Sequence, residues 1–198
     1  MPKRIIGLTG GIATGKTTVA DYLASAYHWP ILDADIYARD AVALGSPILA
    51  AIAQRYGTEI LLSDGNLNRQ KLGEIIFNYP DERHWLDSLI HPGVGDRFLK
   101  AIAQISAPTI VLVIPLLFEA QMTNLVTEIW VVHCSESQQL QRLMQRNHLT
   151  QEQAQARINS QLSIEKKAEL ADVVLDNSST TAALIKQIAQ VYNQHESG

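Results

Sequence analysis

Gly10-Gly11-Ile12-Ala13-Thr14-Gly15-Lys16-Thr17 follows directly on the apolar run Arg4 to Thr9. The stretch satisfies G-x-x-x-x-G-K-[ST], a pattern built to hold phosphate. Its glycines let successive backbone N–H groups turn inward on a β-phosphate, and a helix starting at the end of the loop aims its positive dipole end at the same anion. Lys16 adds a point charge that bridges β- and γ-phosphates, and the Thr17 hydroxyl is placed to ligate Mg²⁺. The flanks agree: Ile5, Ile6 and Leu8 read as a short buried strand, and Val19, Tyr22, Leu23 and Ala26 recur at helical spacing. A chance match in a glycine-rich turn needs neither flank. The motif therefore predicts a nucleoside-triphosphate site, and leaves the fate of the γ-phosphate to the rest of the chain.

Working outward, the apolar runs at Arg4 to Thr9, Pro30 to Leu32, Thr109 to Ile114, Glu128 to His133 and Asp172 to Leu175 are short and rich in Ile, Val and Leu, with helical patterns between them. This predicts an α/β fold with a five-stranded, mostly parallel sheet covered on both faces, and functional residues at the carboxyl ends of the strands. Two regions interrupt the alternation. From Gly45 to about Ser106 the patterns are helical, over Ile48 to Tyr56, Arg69 to Asn78 and Asp81 to about Ile105, with a tight turn at Asp64-Gly65. Pro92 is expected to end or kink the last of these near His91. The second region, Gln138 to Glu169, is polar, helical and basic through Arg142, Arg146, Arg157, Lys166 and Lys167. It reads either as a mobile lid or as a solvated helix pair. The polar end from about Asn193 to Gly198 is expected to fray.

Composition narrows the classes. At 198 residues and 46 % hydrophobic the chain has enough material for one substantial core. A formal net charge of −4 offers nothing to a nucleic-acid backbone. The longest apolar stretches, such as Ile110 to Phe118, have strand length and fall far short of a membrane span. Met1-Pro2-Lys3-Arg4 runs into the first strand without a signal-peptide apolar region, so a cytoplasmic protein is expected. The single cysteine, Cys134, has no intramolecular partner and reads as a buried, inert thiol at a strand end. Six histidines without H-x-x-x-H or Cys/His pairing argue against zinc.

Several side chains have the chemistry for phosphoryl transfer. Asp33-Ala34-Asp35 falls at the end of the second strand, and alternation puts both carboxylates on one side if the chain stays extended. Such a carboxylate accepts a proton from an attacking hydroxyl or holds a magnesium-bound water; the other reading is a helix N-cap, and one aspartate can cap while the other works. The third strand ends in Pro115 where many nucleotide-binding proteins carry a second acid, which shifts magnesium and base duties to Asp35 and argues against a mechanical or switch ATPase. Arg142 and Arg146, four apart, share a helix face and suit the charge of a transferring phosphoryl group. Arg39 follows Asp35 by the same spacing, as a clamp for an acidic substrate or an ordinary exposed arginine. His91 is a turn residue or a substrate contact. A guanine-nucleotide switch would need N-K-x-D and D-x-x-G; Asn78-Tyr79-Pro80-Asp81 lacks the lysine and no D-x-x-G occurs. A small-molecule phosphotransferase is the class that remains.

From about Ile5 to Tyr192 the chain resembles the dephospho-CoA kinase family of P-loop enzymes. The resemblance rests on an ordered set: Leu8-Thr9-Gly10-Gly11-Ile12, Gly15-Lys16-Thr17, Asp33-Ala34-Asp35 with Arg39, Asp64-Gly65, Leu67, Arg69, Ile76-Phe77 and His91-Pro92. It continues through Pro115-Leu116-Leu117-Phe118-Glu119, Gln139 with Arg142 and Arg146, Arg157 with Gln161, and Ala171-Asp172 ahead of Asp176-Asn177. The resemblance implies a P-loop three-layer sandwich with a nucleotide-binding core at 1–44, 107–137 and 170–198, a helical CoA-binding insert at 45–106 and a lid at 138–169. It implies ATP-dependent phosphorylation of the ribose 3′-hydroxyl of dephospho-CoA with Mg²⁺; the alternative is a P-loop kinase of another small nucleoside-like acceptor. Neither nucleic acid, membrane nor an obligatory protein partner is expected. Carried over by position, Asp35, Lys16, Arg142 and Arg146 are catalytic, and Gly11, Ile12, Ala13, Thr14, Gly15, Lys16, Thr17, Thr18 and Asn177 bind ATP. Asp33, Arg39, Arg69 and His91 bind the acceptor, and Thr17 and Asp35 serve the metal.

Two positions depart from the family pattern. Ala13-Thr14 stands where Gly-Ser is usual, and if position 13 needs a positive φ, alanine costs about 1 kcal/mol against glycine there. Asn147 follows Arg146 where the family often has Asp, which removes no catalytic charge.

Overall fold

A computed structural model describes residues 3–196, with side chains through Gln194; Met1, Pro2, Ser197 and Gly198 lie outside the described residues. In chain order the elements are β1 (Arg4–Gly10), α1 (Lys16–Tyr27), β2 (Ile31–Asp33), α2 (Ala34–Ala41), α3 (Pro47–Tyr56), α4 (Arg69–Asn78) and α5 (Pro80–Gln104). There follow β3 (Thr109–Val113), β4 (Glu128–His133), α6 (Glu136–Asn147), α7 (Gln151–Asn159), α8 (Ile164–Glu169), β5 (Val173–Asp176) and α9 (Thr181–Glu196). The chain divides into two compact units, one of residues 1–32 and 105–198 and one of Asp33–Gln104.

The first unit is organised by the sheet, whose strand order is β2-β3-β1-β4-β5. β1 pairs in parallel with β3 and with β4, and β4 in parallel with β5. These strands are the Ile- and Val-rich runs of the sequence because a strand covered on both faces needs apolar residues at successive positions. Ile6, Leu8, Val111, Val113, Trp130 and Val132 bury against Val19 and Leu23 of α1 and Leu184 and Ile188 of α9. Fully buried side chains of this kind contribute about 1.5–3 kcal/mol each. The helices of the polar region are set by their caps: Ser135 with Gln138 and Thr150 with Gln153 form reciprocal capping boxes for α6 and α7. At the end expected to fray, α9 continues through Glu196.

The second unit is helical around its own core of Val42, Leu49, Ile52, Ile60, Leu67, Leu72 and Leu86. Ser46 caps α3 with Pro47 in its first turn, and Asn68 caps α4. One local expectation is corrected in part here, and one choice left open by the sequence is decided. Pro92 does not end a helix: α5 runs unbroken from Pro80 to Gln104. Proline forfeits one helical hydrogen bond, but Pro92 is exposed while Leu86, Val94 and Phe98 stay buried on either side of it, so packing carries the helix through. The chain also does not stay extended across Asp33-Ala34-Asp35. β2 stops at Asp33, whose side chain accepts the Asp35 N–H at 2.7 Å as the N-cap of α2, so Asp35 enters the first helical turn.

Candidate active site

In the first unit the phosphate loop joins β1 to α1, and its glycines are there for space as well as for backbone freedom. A Cβ on Gly10, whose φ is +150°, would fall 2.4 Å from the Val132 carbonyl oxygen, and one on Gly11 would fall 2.2 Å from Gln139 Oε1. Gly15, at φ +103°, would place its Cβ 2.2 Å from Asn177 Nδ2. Position 13 does require the left-handed region: Ala13 has φ 61°. Lys16 Nζ donates to the carbonyls of Gly10 and Gly11 at 3.0 and 2.8 Å, which folds the ammonium over the loop. Thr14, fully buried, donates its hydroxyl to Gly11 O at 2.9 Å. Thr17 and Thr18 are exposed on the first turn of α1, at its positive dipole end.

The loop is held from three other segments. Asn177, just past β5, donates its side-chain amide to Thr14 O at 2.8 Å and its backbone N–H to His133 O at 2.8 Å. Arg142 of α6 donates to Asn177 O at 2.8 Å, so its guanidinium reaches the loop region through the β5–α9 turn. Ile12 N–H donates to Gln161 Oε1, from the turn between α7 and α8, at 3.0 Å. Arg146, the other arginine of the α6 face, is exposed and donates to Asn147 Oδ1 at 2.9 Å. A cavity of about 260 Å³ beside the loop is lined by Gly11, Glu136, Gln139, Ile158, Gln161 and Ser163. At the strand ends, burial pushes the Cys134 thiol up from its ordinary value, in keeping with an inert cysteine, while the Ser178 hydroxyl and N–H lower the Asp176 carboxyl.

Lys167 is fully buried, and its ammonium donates to Pro115 O at 3.0 Å and pairs with Glu119 Oε1 at 2.9 Å. The same carboxylate oxygen accepts the Leu162 N–H at 2.9 Å. Sequence reasoning assigned no role to Gln139, Gln161, Glu119 or Lys167. Three of them belong to the motif set of the resemblance, which marks their positions and gives no contact; Lys167 showed only as one lysine in a basic stretch.

In the second unit, Asp35 and Arg39 are exposed on α2. Arg69, at the start of α4, donates to Arg39 O at 3.1 Å. The two arginines line a cavity of about 550 Å³ with Asp40, Asp64, Asn66 and Asn68. Asp64 accepts both the backbone N–H and the side-chain amide of Asn66 at 3.0 Å, which lowers its pKa. His91 is not among the residues lining that cavity; its Nε2 lies 3.7 Å from Asp87 Oδ1 on the same helix.

Known proteins resemble this chain in sequence and fold. The dephospho-CoA kinase family model matches residues 4–183. A protein of Trichormus variabilis named dephospho-CoA kinase is 78 % identical over 188 residues, 95 % of this chain and 96 % of that one. Among solved structures, dephospho-CoA kinase from Campylobacter jejuni superimposes with a TM-score of 0.72 at 27 % identity, covering 97 % of this chain and 96 % of that one. A Thermus thermophilus protein does so with a TM-score of 0.82 at 29 % identity, covering 98 % of each chain. With the family model spanning the loop, both compact units and the Asp176-Asn177 turn, the chain belongs to the dephospho-CoA kinase family.

Proposed function

We propose that this chain transfers the γ-phosphoryl group of ATP to the ribose 3′-hydroxyl of dephospho-CoA, giving coenzyme A and ADP. The observation that carries the reading is the family match over residues 4–183, which includes an intact phosphate loop. In this reading the loop amides from Ala13 to Thr18 and the Lys16 ammonium hold the β- and γ-phosphates. Lys16 then exchanges its loop carbonyls for phosphate oxygens. Asp35 accepts the 3′-hydroxyl proton as the hydroxyl oxygen bonds to the γ-phosphorus and the bond to the ADP oxygen breaks. Arg142 and Arg146 balance the charge of the group in flight. Asn177 lies against the adenine end of ATP.

Mg²⁺ fits the chemistry of the donors assigned to it. The residues this reading assigns to the ion, Thr17 of the first unit with its exposed hydroxyl and Asp35 of the second with its exposed carboxylate, are both oxygen donors and would suit a hard cation that keeps much of its water. When bound, the ion supplies positive charge to the phosphate oxygens and orients them for transfer.

The acceptor falls to 45–106 together with Asp33 and Arg39: Arg39 and Arg69 offer guanidinium groups to its phosphates and His91 a further contact. Residues 138–169 act as the lid over the nucleotide core of 1–44, 107–137 and 170–198. Among the described residues no helix is long and apolar enough to cross a membrane. The enzyme is assigned to the cytoplasm, with ATP and dephospho-CoA as its ligands and no nucleic acid or obligatory protein partner.

The deciding experiment incubates the chain with Mg-ATP and dephospho-CoA and follows ADP and CoA. Equal yields of the two are expected. Background ADP with dephospho-CoA, alongside phosphorylation of another nucleoside-like acceptor, would replace this reading with the more general P-loop kinase.

A further inference from the structure

Ala13 is held where an L-residue is disfavoured. Its φ of 61° lies in the left-handed region, which costs a residue with a Cβ about 1–2 kcal/mol. Such strain persists only where the surroundings over-determine the backbone. Two long-range hydrogen bonds bracket this residue. On one side the Ile12 N–H donates to Gln161 Oε1 at 3.0 Å, and on the other the Thr14 carbonyl accepts from Asn177 Nδ2 at 2.8 Å. Asn177 is itself fixed by its backbone bond to His133 and by Arg142.

Gln161 is also anchored. Its own N–H donates to Ile158 O, closing the turn after α7. The next residue, Leu162, gives its N–H to Glu119, and Glu119 is paired with the fully buried Lys167, whose second bond goes to Pro115 just past β3. A neutral turn residue is thus tied through a buried ion pair to the sheet that carries the loop.

We propose that Gln161 is a positioning residue for phosphoryl transfer: it holds Ala13 left-handed and so keeps the following amides turned into the phosphate site, with Glu119 and Lys167 anchoring the turn that presents it. Gln161 acts through the loop and not on substrate. Glycine at position 13 would adopt the same conformation without penalty, so the contact matters most in a chain that carries alanine there. The proposal rests on the reading that the loop binds ATP, and not on the identity of the acceptor.

The test is calorimetric binding of Mg-ATP to four proteins: the natural chain, Gln161→Met, Ala13→Gly and the double variant. Gln161→Met removes the acceptor oxygen at nearly constant shape, and is expected to weaken binding roughly fivefold to tenfold, the equivalent of one lost hydrogen bond. In the Ala13→Gly background the same substitution should weaken it less than about twofold, because glycine no longer needs the hold. General loosening of the fold would give equal losses in both backgrounds, and that result overturns the proposal. Unchanged binding in Gln161→Met overturns it too, and so does tighter binding, which would make Gln161 a competitor of phosphate for the Ile12 amide. Should Gln161→Met fail to fold, Gln161→Asn, one methylene too short to reach Ile12, carries the same expectations. Binding is read without acceptor, so a natural chain that binds Mg-ATP but ignores dephospho-CoA would refute the proposed reaction and leave this test standing.

Discussion

Lys167 and Arg55 each pair with a glutamate, one in each compact unit, and the two pairs are built differently. Lys167 has no exposed side-chain surface, and its partner Glu119 is 23 % exposed. Arg55 and Glu82 are 41 % and 24 % exposed, and Arg55 also lies over the Trp85 ring at 4.5 Å. A buried pair gains little net stability over an apolar pair of similar volume, yet removing one member strands a charge in low dielectric. A solvent-reachable pair is screened and expendable. Lys167 and Glu119 therefore fix geometry around the phosphate loop with a buried charge, whereas Arg39 and Arg69 of the second unit stand at the surface. On the proposed reading, fixed geometry would suit a phosphate group that is the same in every turnover, and surface cations would suit a larger acceptor that must enter and leave.

The largest expected effect tests whether an exposed group of the second unit nonetheless does chemistry. Asp35→Asn should lower kcat by about 10²–10⁴-fold, the usual worth of a general base, and far more than it weakens Mg-ATP binding. An unchanged kcat would remove Asp35 from the reaction. Next in size, Lys167→Met should destabilise the first unit by about 3 kcal/mol by leaving Glu119 without its partner. Urea titration with hydrogen exchange checks this, since exchange should rise in peptides of 105–198 and not in those of 45–104. Equal rises in both would erase the distinction between the units.

Smaller still is Ala13→Gly. Relief of the left-handed strain is offset by the greater freedom of glycine in the unfolded chain, which leaves a net gain of about 0.5–1 kcal/mol in thermal or urea unfolding. A loss of stability would mean that the bonds from Gln161 and Asn177 leave no strain to relieve.

What the sequence made legible follows the range of the forces involved. The loop and the strands were readable because a phosphate motif and runs of Ile and Val are local signals, and β4 falls on Glu128–His133 as the apolar run indicated. Positive φ at position 13 entered only as a condition, through the glycine usual there in the family the chain resembles, and Ala13 meets it at φ 61°. Pro92 does not end α5, because its cost is local while the burial of Val94 and Phe98 that offsets it is tertiary. At Asp33 to Asp35 alternation and an N-cap were both legible, and the bond from the Asp35 N–H to the Asp33 carboxylate decides for the cap. Lys167 and Gln161 were invisible in their roles for a different reason: their partners lie 52 and 149 residues away, so nothing in the surrounding composition separates them from a solvated helix surface.

The smallest effect returns to Glu82 in the second unit. Hydrogen bonds from Arg55, and then from the Tyr56 hydroxyl, hold its carboxyl down to about 2, against an ordinary value near 4.5. The folded state thus binds its proton later than the unfolded state as pH falls. Its contribution is complete above the unfolded value and is lost between about pH 4.5 and about 2. Tyr56 marks the opposite limb: burial, and then its bond to Glu82, push its hydroxyl up to about 12, so its contribution is present below about pH 10 and is lost as pH rises toward 12. Glu82→Gln should flatten the acid limb of stability in that window alone, and 1 M salt should shrink the difference between variant and natural chain, because both groups are reachable by solvent. The loss in Lys167→Met should persist in the same salt, since ions do not enter the space around a side chain with no exposed surface. If salt diminished both losses alike, the buried pair would be screened like the surface one, and the contrast between the two units would rest on packing alone.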